Sequence, residues 1–214
     1  MKLLCIGYRD WAINIYKNLK KKNKDHKILI KKNKNLSFNE INKINPDIIL
    51  YYGWSKIIKK KIYENFFCLM LHPSDLPKYR GGSPIQNQII NYVKKSAVTI
   101  FKINKDIDGG PILKKHFLSL TGDISEIFLR LEKIGSKLTN EIIKGDYKLR
   151  KQNLKKTKIY KRLKPSQSEI TIKELLSKNA NYLHNKIRML NDPYPNAFIR
   201  TKDKKKIYLK KVSL

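Results

Sequence analysis

Two polar side chains in the middle of the chain, His72 and Asp108, are of the types that together move protons. His72 ends an apolar run, and Asp108 lies in the turn sequence Asp106-Ile107-Asp108-Gly109-Gly110. An imidazole changes its charge near neutral pH, and a neighbouring carboxylate can orient it and accept a proton. Taken alone, the two residues fit a satisfied core histidine and a turn carboxylate. The Pro- and Gly-rich loop that follows His72 favours a reactive cleft instead.

The elements around these residues alternate between strand and helix, which predicts an α/β fold. The run Asp47–Tyr52 is apolar nearly throughout, as in a parallel strand that is covered on both faces. The alternation predicts an open, mostly parallel sheet with right-handed crossovers, and its strand ends would bring His72 and Asp108 to one rim. The predicted strands are Lys2–Ile6, Lys27–Ile30, Asp47–Tyr52, Cys68–Leu71, Ala97–Ile103 and Pro111–Leu120, and the predicted helices begin at Asp10 or cover Phe38–Ile44, Ser55–Tyr63, Gln86–Tyr92 and Ser125–Ile143.

The C-terminal third of the chain has a different pattern. Residues 146–170 are polar, lysine-rich and weakly periodic, which indicates a linker on the surface. Thr171–Leu190 is predicted as one helix, and Ala197–Thr201 with Lys206–Val212 as a β-hairpin. The predicted organisation is therefore a catalytic domain at 1–145, the linker at 146–170, and a short helix and β-hairpin extension at 171–214. Because a lone hairpin is marginally stable, it must pack on the main domain or on a partner chain.

The composition is strongly basic, with 48 Lys and Arg against 17 Asp and Glu and a formal charge of +31. Such a charge can mark a nucleic-acid surface. Only seven of the 48 basic residues are arginine, however, and the lysines are scattered through nearly every surface segment. We favour codon composition over a dedicated nucleic-acid surface, with affinity for anionic substrates as a by-product.

Other features limit the classes of protein to consider. Cys5 and Cys68 lie in apolar strand patterns, so we expect buried, unreactive thiols. The first turn, Gly7-Tyr8-Arg9-Asp10-Trp11-Ala12, is not a dinucleotide-binding glycine motif, and no metal site is indicated. No apolar run reaches the eighteen or so residues of a membrane span, and Met1–Tyr8 lacks the features of a signal peptide. A cytoplasmic protein is predicted.

Three segments together resemble the 10-formyltetrahydrofolate-dependent formyltransferases, which include methionyl-tRNA formyltransferase and the sugar N-formyltransferases. They are HPSDLPKYRGGSP at 72–84, AVT at 97–99 and DIDGGPIL at 106–113. The resemblance covers roughly residues 47–145, and IRMLNDPYPNAF at 187–198 is also similar to a segment of the family. It implies a Rossmann-like formyltransferase core, 10-formyltetrahydrofolate as formyl donor, and His72 and Asp108 as catalytic residues.

The chain departs from the family at Met70. The family normally has an asparagine two residues before the histidine, whose amide helps to hold the formyl oxygen. A thioether has no donor to offer, and losing one such donor typically costs on the order of a hundredfold in rate. Either a backbone N–H, Ser74 or a bound water substitutes, or the chain is a catalytically impaired homologue. Met70 and Ser74 are therefore candidate substrate-binding residues.

The resemblance also assigns the loop after His72 to the folate. Proline and glycine fix a close-approach backbone path that bulky side chains would block. Trp54, at a strand end, is expected as a pocket wall or as a core aromatic. Lys78 is a candidate contact to an anionic substrate. The expected folate-binding residues are Trp54, Leu76, Pro77, Tyr79, Arg80, Gly81 and Gly82.

The resemblance leaves several acceptors open. Met-tRNA formyltransferases normally carry a complete C-terminal barrel, and this chain ends soon after one hairpin, which favours a small amine. The first hypothesis is an N-formyltransferase for a nucleotide-linked amino sugar, such as a dTDP-4-amino-4,6-dideoxyhexose, that forms a homodimer through its C-terminal hairpin. The alternatives are a compact methionyl-tRNA formyltransferase that binds tRNA through its lysines, a formyltetrahydrofolate hydrolase or glycinamide ribonucleotide transformylase, and a folate-binding homologue without turnover. No membrane partner is predicted.

Overall fold

A six-stranded sheet organises the computed structural model, which describes residues 1–214. The strand order is β2-β1-β3-β4-β6-β7, with parallel pairing from β2 to β4 and antiparallel pairing of β6 with β4 and β7. The predicted α/β fold with a mostly parallel sheet is thereby confirmed. The strands are β1 (Lys2–Gly7), β2 (Lys27–Lys32), β3 (Ile48–Tyr52), β4 (Cys68–His72), β6 (Lys95–Lys102) and β7 (Ile112–Ser119), and the helices between them are α1 (Asp10–Lys22), α2 (Phe38–Ile44), α3 (Lys60–Asn65) and α4 (Pro84–Ile90).

Both faces of this sheet are covered, which explains its nearly continuous apolar strands. Along β1, Leu3 and Cys5 face a large core that includes residues of α1 and of α5 (Ile124–Ile143). Leu4 and Ile6 face a smaller core that includes residues of α2 and α3. Successive side chains of a strand point to opposite faces, so one apolar run supplies both cores.

Tyr16 of α1 fastens the ends of β1 and β3 next to each other. Its hydroxyl accepts a hydrogen bond from the backbone N–H of Tyr52 at 2.7 Å and lies 3.0 Å from the carbonyl oxygen of Ile6. A Cβ atom added at Gly7 would overlap the carbonyl oxygen of Tyr52, so this close approach requires glycine. The loops that follow the two strands are thereby brought together at one rim.

Both cysteines are buried and free, as predicted. Burial raises the pKa of the Cys68 thiol to about 12 and also raises the pKa of Cys5. A thiol is nucleophilic only as the thiolate, so neither residue is a candidate nucleophile. No helix of the structure is both long enough and apolar enough to cross a membrane.

The segment between α5 and the C-terminal extension is more structured than the sequence predicted. Most of it is exposed, but it contributes strand β8 (Ile159–Tyr160), which pairs in parallel with β5 (Arg80–Gly81) of the loop after His72. Arg150 also bridges to Ile112 of β7. A two-residue ladder leaves no periodic signal, which is why sequence patterns indicated only a linker.

Two helix predictions were wrong in their bounds. The predicted helix Thr171–Leu190 is two helices, α6 (Ile172–Ser177) and α7 (Ala180–Met189). Asn179 caps α7 with its side chain, which accepts a hydrogen bond from the N–H of Tyr182 at 2.9 Å, so a new helix starts there. The predicted helix Ser55–Tyr63 begins only at Lys60. The C-terminal hairpin is present as β9 (Ala197–Arg200) and β10 (Lys206–Leu209).

Candidate active site

His72 ends strand β4 at the rim of the sheet and is only 5% exposed. Its Nε2 atom lies 2.9 Å from the carbonyl oxygen of Tyr79. Because a carbonyl oxygen only accepts hydrogen bonds, this contact places a proton on Nε2. On the other side of the ring, Nδ1 lies 3.5 Å from Oδ2 of Asp108. The imidazole is thus held between an acceptor that fixes its tautomer and a carboxylate that can exchange a proton with it.

Asp108 lies in the turn between β6 and β7, where the N–H of Gly109 donates to the carbonyl oxygen of Asp106 at 3.1 Å. Its φ angle is +48°, in the left-handed region that aspartate tolerates better than most residues. Its Oδ2 atom accepts a hydrogen bond from the backbone N–H of Gly81 at 2.8 Å. The same carboxylate oxygen therefore contacts both His72 and the glycine edge, by which we mean the part of the loop formed by Gly81 and Gly82. The two residues that the sequence singled out are brought together as predicted.

A cavity of about 850 Å³ opens on this pair. This volume is within the range of pockets that enclose small molecules and cofactors. No group of three or more His, Cys, Asp or Glu side chains is placed to hold a metal ion. The part of the wall that adjoins the smaller core includes Tyr8, Trp54, Ile58, Tyr63, Met70 and Ile103. The cavity is also lined by Arg9, Phe101, Phe128, Arg162 and Tyr194.

Of the residues predicted in the loop after His72, only Gly81 and Gly82 line the cavity. A Cβ atom at either glycine would overlap the backbone of the neighbouring 160–162 segment. Gly81 also has a φ angle of +96°, which L residues rarely adopt. These two positions need glycine because the 160–162 segment lies directly against their backbone.

The other predicted loop residues build the loop and do not face the cavity. Leu76 is buried in the protein, and Pro77 and Lys78 lie outside the cavity wall. The ring of Tyr79 stacks on Tyr160 with 4.9 Å between the ring centroids. The guanidinium of Arg80 donates to the carbonyl oxygen of Ile107 at 3.3 Å and to Thr157 Oγ1 at 2.9 Å. These residues hold the glycines and the Asp108 turn in place, and Lys78 remains exposed to solvent.

Ser74 is not placed to replace the family asparagine. It is fully buried, and its hydroxyl donates to the carbonyl oxygen of Lys78 at 2.7 Å. Its own carbonyl accepts hydrogen bonds from Thr99 Oγ1 and from the N–H of Leu76. Met70, by contrast, is half-buried and lines the cavity two residues before His72 on the same strand. The position is thus in the site, and its side chain supplies no donor.

Trp54 belongs to the pocket wall and to the core at the same time. It lines the cavity, and its ring lies 6.0 Å from the ring of Tyr8 and 6.2 Å from the ring of Tyr51. Its indole Nε1 is buried and has no hydrogen-bond partner. Both interpretations of this residue from the sequence hold.

Sequence reasoning missed several residues of the site. Gln152 donates from Nε2 to the carbonyl oxygens of Asp108 at 3.0 Å and Gly110 at 2.7 Å. Tyr160 and Arg162 come from the segment predicted as a linker, and Arg9 was noted only as part of a turn without a glycine motif. Arg9 and Arg162 are two of seven arginines in a lysine-rich chain, which is the one signal that distinguishes them.

Comparison with known proteins agrees with this geometry. The Formyl transferase family model matches residues 11–138. The chain is 32% identical over 176 residues to methionyl-tRNA formyltransferase of Finegoldia magna, covering 78% of this chain and 55% of the relative. It therefore spans about half the length of the curated relatives it matches.

Solved structures show the same fold. Methionyl-tRNA formyltransferase from Clostridium thermocellum is 36% identical, with a TM-score of 0.86 over 94% of this chain and 88% of that chain. A sugar N-formyltransferase from Shewanella is 18% identical, with a TM-score of 0.80 over 100% of this chain and 98% of that chain. The family match over more than half of the residues and the fold lead to one conclusion. The chain belongs to the formyl transferase family.

Proposed function

We propose that the protein transfers the formyl group of 10-formyltetrahydrofolate to a primary amine. The observation that carries this proposal is the His72–Asp108 pair at the glycine edge of a cavity of about 850 Å³. The apolar wall around Trp54 and Met70 suits the flat ring system of a folate. The family resemblance supports the same donor.

The reaction assigns a role to each member of the pair. The uncharged amine attacks the formyl carbon, an oxyanion forms, the amine loses a proton, and the folate nitrogen gains one as it leaves. His72 polarises the formyl group and supplies the proton, because its ring can carry a hydrogen on each nitrogen. Asp108 orients the ring and takes up the amine proton, directly or through water. The backbone N–H of Gly81 holds Asp108 in the orientation that this requires.

The acceptor that we favour is a nucleotide-linked amino sugar. Positively charged side chains border the cavity at Arg9, Lys56, Lys59, Lys105 and Arg162, and they suit a substrate that carries a diphosphate. The Shewanella sugar N-formyltransferase has the same architecture along nearly its whole chain, including the C-terminal segment. These observations support a small, anionic amine as the substrate.

Methionyl-tRNA is the second candidate, because the more similar relatives carry that name. Their sequence identity of 32–36% is well above the 18% of the sugar enzyme. A tRNA substrate would use the many exposed lysines, and its binding would weaken steeply as salt is raised.

One experiment separates these possibilities. The full-length protein is incubated with 10-formyltetrahydrofolate and, in parallel, with nucleotide-linked 4-amino sugars, 3-amino sugars and Met-tRNA, and product masses are read. We expect the mass of one added carbonyl on an amino sugar. The matched control is His72→Asn, which should bind tetrahydrofolate and transfer at a rate lower by about a hundredfold or more.

The other outcomes are equally informative. A gain of mass on Met-tRNA alone would establish the second candidate. No transfer to any amine, with tetrahydrofolate binding intact, would identify a homologue impaired by Met70. Absence of tetrahydrofolate binding would contradict the proposal as a whole.

A further inference from the structure

Two arginines of the cavity wall, Arg9 and Arg162, have no counter-charge in the protein. Both line the cavity and neither takes part in an ion pair, although Arg162 shares a hydrogen bond with the hydroxyl of Tyr8. Asp10, which follows Arg9, is instead 3.7 Å from Lys32. Guanidinium groups without carboxylate partners inside a cavity leave their N–H groups available to a ligand.

Three other arginines of the chain donate to carboxylate or carbonyl groups of the protein. Arg80 holds the Asp108 turn, Arg188 donates to the carbonyl oxygens of Leu120 and Gly122, and Arg200 contacts Glu169 at 3.1 Å. Arg9 and Arg162 differ from these three because they line a cavity and have no carboxylate or carbonyl partner.

Arg9 is nevertheless held in a defined position. Its guanidinium carbon lies 5.1 Å from the ring centroid of Tyr8 and 5.3 Å from that of Tyr194. Tyr194 in turn packs against Phe128, with 5.8 Å between the ring centroids. Stacking on aromatic faces fixes a guanidinium while leaving the edge that carries its donors open. The arginine is pre-organised without being neutralised.

Arg162 is placed by backbone contacts on both sides. The N–H of Gly82 donates to the carbonyl oxygen of Tyr160 at 2.7 Å, and the N–H of Leu163 donates to Ser83 Oγ at 3.1 Å. A Cβ atom at Gly82 would overlap the backbone of Arg162, so the two segments are in direct contact. The base of this side chain is thereby fixed at the glycine edge of the cavity.

The two positive charges converge on Tyr8. Burial raises the pKa of its hydroxyl, but hydrogen bonds with Ser55 and Arg162 and the charges of Arg9 and Arg162 outweigh burial and lower the pKa. Both guanidinium groups therefore act on one region of the cavity.

We infer that Arg9 and Arg162 form an anion subsite that binds a phosphate or diphosphate group of the amine acceptor. The inference rests on the proposed function, since it places the acceptor beside His72. Phosphate matches the planar, forked donor pattern of guanidinium better than it matches scattered lysine ammonium groups. Nucleotide sugars and the 3′ end of tRNA share this chemistry.

The position in the fold places the two arginines between the two parts of the cavity wall. Arg9 lies over Tyr8, which packs against the smaller core and has its ring 6.0 Å from that of Trp54. Arg9 also lies over Tyr194, which packs against the larger core. The subsite therefore adjoins the apolar wall that suits the pterin ring, and a phosphate bound there would lie next to a bound folate.

Binding measurements on the full-length protein test the subsite without relying on turnover. The probes are inorganic pyrophosphate, dTDP and a short RNA stem that ends in CCA, each titrated calorimetrically into wild type, Arg9→Gln and Arg162→Gln. The matched control is Arg150→Gln, which removes one exposed guanidinium away from the cavity. We expect each cavity variant to weaken pyrophosphate binding about tenfold or more and Arg150→Gln to change it less than twofold.

The two organic probes distinguish the source of the phosphate. Tighter binding of dTDP than of the RNA stem, lost in both cavity variants, assigns the subsite to a nucleotide sugar, and the reverse order assigns it to tRNA. Equal weakening by all three substitutions, or no pyrophosphate binding by wild type, would overturn the inference and indicate general attraction to a basic chain.

Tetrahydrofolate binding separates failure of the subsite from failure of the proposed function. We expect it to be unchanged in both cavity variants, and its loss with pyrophosphate binding retained would assign the arginines to the folate carboxylates and refute the subsite. Failure of formyl transfer with pyrophosphate binding intact would instead count against the proposed function alone.

Discussion

One carboxylate oxygen of Asp108 makes two contacts, of which the contact with His72 depends on its negative charge. Its Oδ2 atom accepts from the N–H of Gly81 and lies 3.5 Å from Nδ1 of His72. Asp108→Asn keeps the shape of the side chain but cannot take up a proton from the amine. We expect kcat for formyl transfer to fall by about a hundredfold or more, with the Kd for tetrahydrofolate changed less than threefold.

Single-turnover transfer and equilibrium folate binding measure the two quantities. Asp146→Asn is the control, since this carboxylate is exposed and pairs with Lys114 on the surface. An Asp108→Asn protein with full activity would show that the carboxylate only shapes the turn.

A second prediction at the scale of a single residue concerns Met70. Its side chain lines the cavity on the same strand face as His72, at the position where the family resemblance implies an asparagine that holds the formyl oxygen. Met70→Asn should raise kcat by about tenfold to a hundredfold, because it adds a donor to the developing oxyanion. Met70→Leu, which changes shape without adding a donor, should leave kcat near the wild-type value. Equal effects of the two substitutions would show that another group already holds the oxygen.

At the scale of elements, much of the sheet could be predicted from the sequence because both faces of each strand are buried. Continuous apolar runs such as Asp47–Tyr52 identify such strands, and the strand end at His72 and the turn at Asp108 then meet at one rim. The β5–β8 ladder could not be predicted, since two residues form no periodic pattern and the partner segment is polar. Because the segment that contains β8 was predicted only as a linker, the sequence did not indicate the roles of Gln152 and Arg162.

Gln152 is the clearest example of a site residue in the segment that was predicted only as a linker. Its Nε2 atom bonds the carbonyl oxygens of Asp108 and Gly110, and so holds a turn whose φ angle is left-handed. We expect Gln152→Leu to lower kcat about tenfold while leaving the KM for folate within threefold, because the turn moves and the glycine edge stays. Asn153→Leu, next to it and exposed, is the control. Equal loss of folding stability and of both kinetic parameters in the two variants would contradict a positioning role.

The C-terminal helices depend on a buried ion pair that predicts acid sensitivity. Lys186 of α7 is 5% exposed and contacts Glu174 of α6 at 2.7 Å. Burial raises the pKa of Glu174, but hydrogen bonds from Lys186 and the backbone of Thr171 outweigh it and lower the pKa. A lowered folded-state pKa gives stability that is present above the ordinary glutamate pKa of about 4.3 and is lost as pH falls through the folded value.

Thermal unfolding at several pH values checks this. Glu174→Gln should lower Tm at pH 7, and the difference from wild type should shrink as the pH falls below about 4. Glu64→Gln, at an exposed pair with Lys60, should change Tm little at any pH. A Tm difference for Glu174→Gln that is independent of pH would exclude the ion pair as its cause.

At the scale of the whole molecule, the net positive charge opposes the association of two copies, and the exposed apolar residues of the hairpin favour it. Two copies that each carry +31 repel, and this repulsion is screened as salt is raised. Strand β10, however, leaves Ile207 and Tyr208 half exposed, whereas Ala197, Ile199 and Leu209 of the hairpin belong to or pack against the larger core. A two-stranded sheet of this kind is marginal unless its apolar residues are covered. We propose a second copy of the chain as the cover.

The effect of salt on self-association therefore distinguishes dimerisation from tRNA binding. Sedimentation should show a dimer whose association strengthens between low and moderate salt, in the opposite direction to tRNA binding. Ile207→Lys should shift the protein to monomer, because it buries a charge at the hairpin contact. Leu129→Lys, which replaces an exposed apolar residue of α5, should leave the dimer intact. A wild-type protein that is monomeric at high concentration in moderate salt would refute hairpin dimerisation, and the hairpin would then be stable through its contacts within the chain alone.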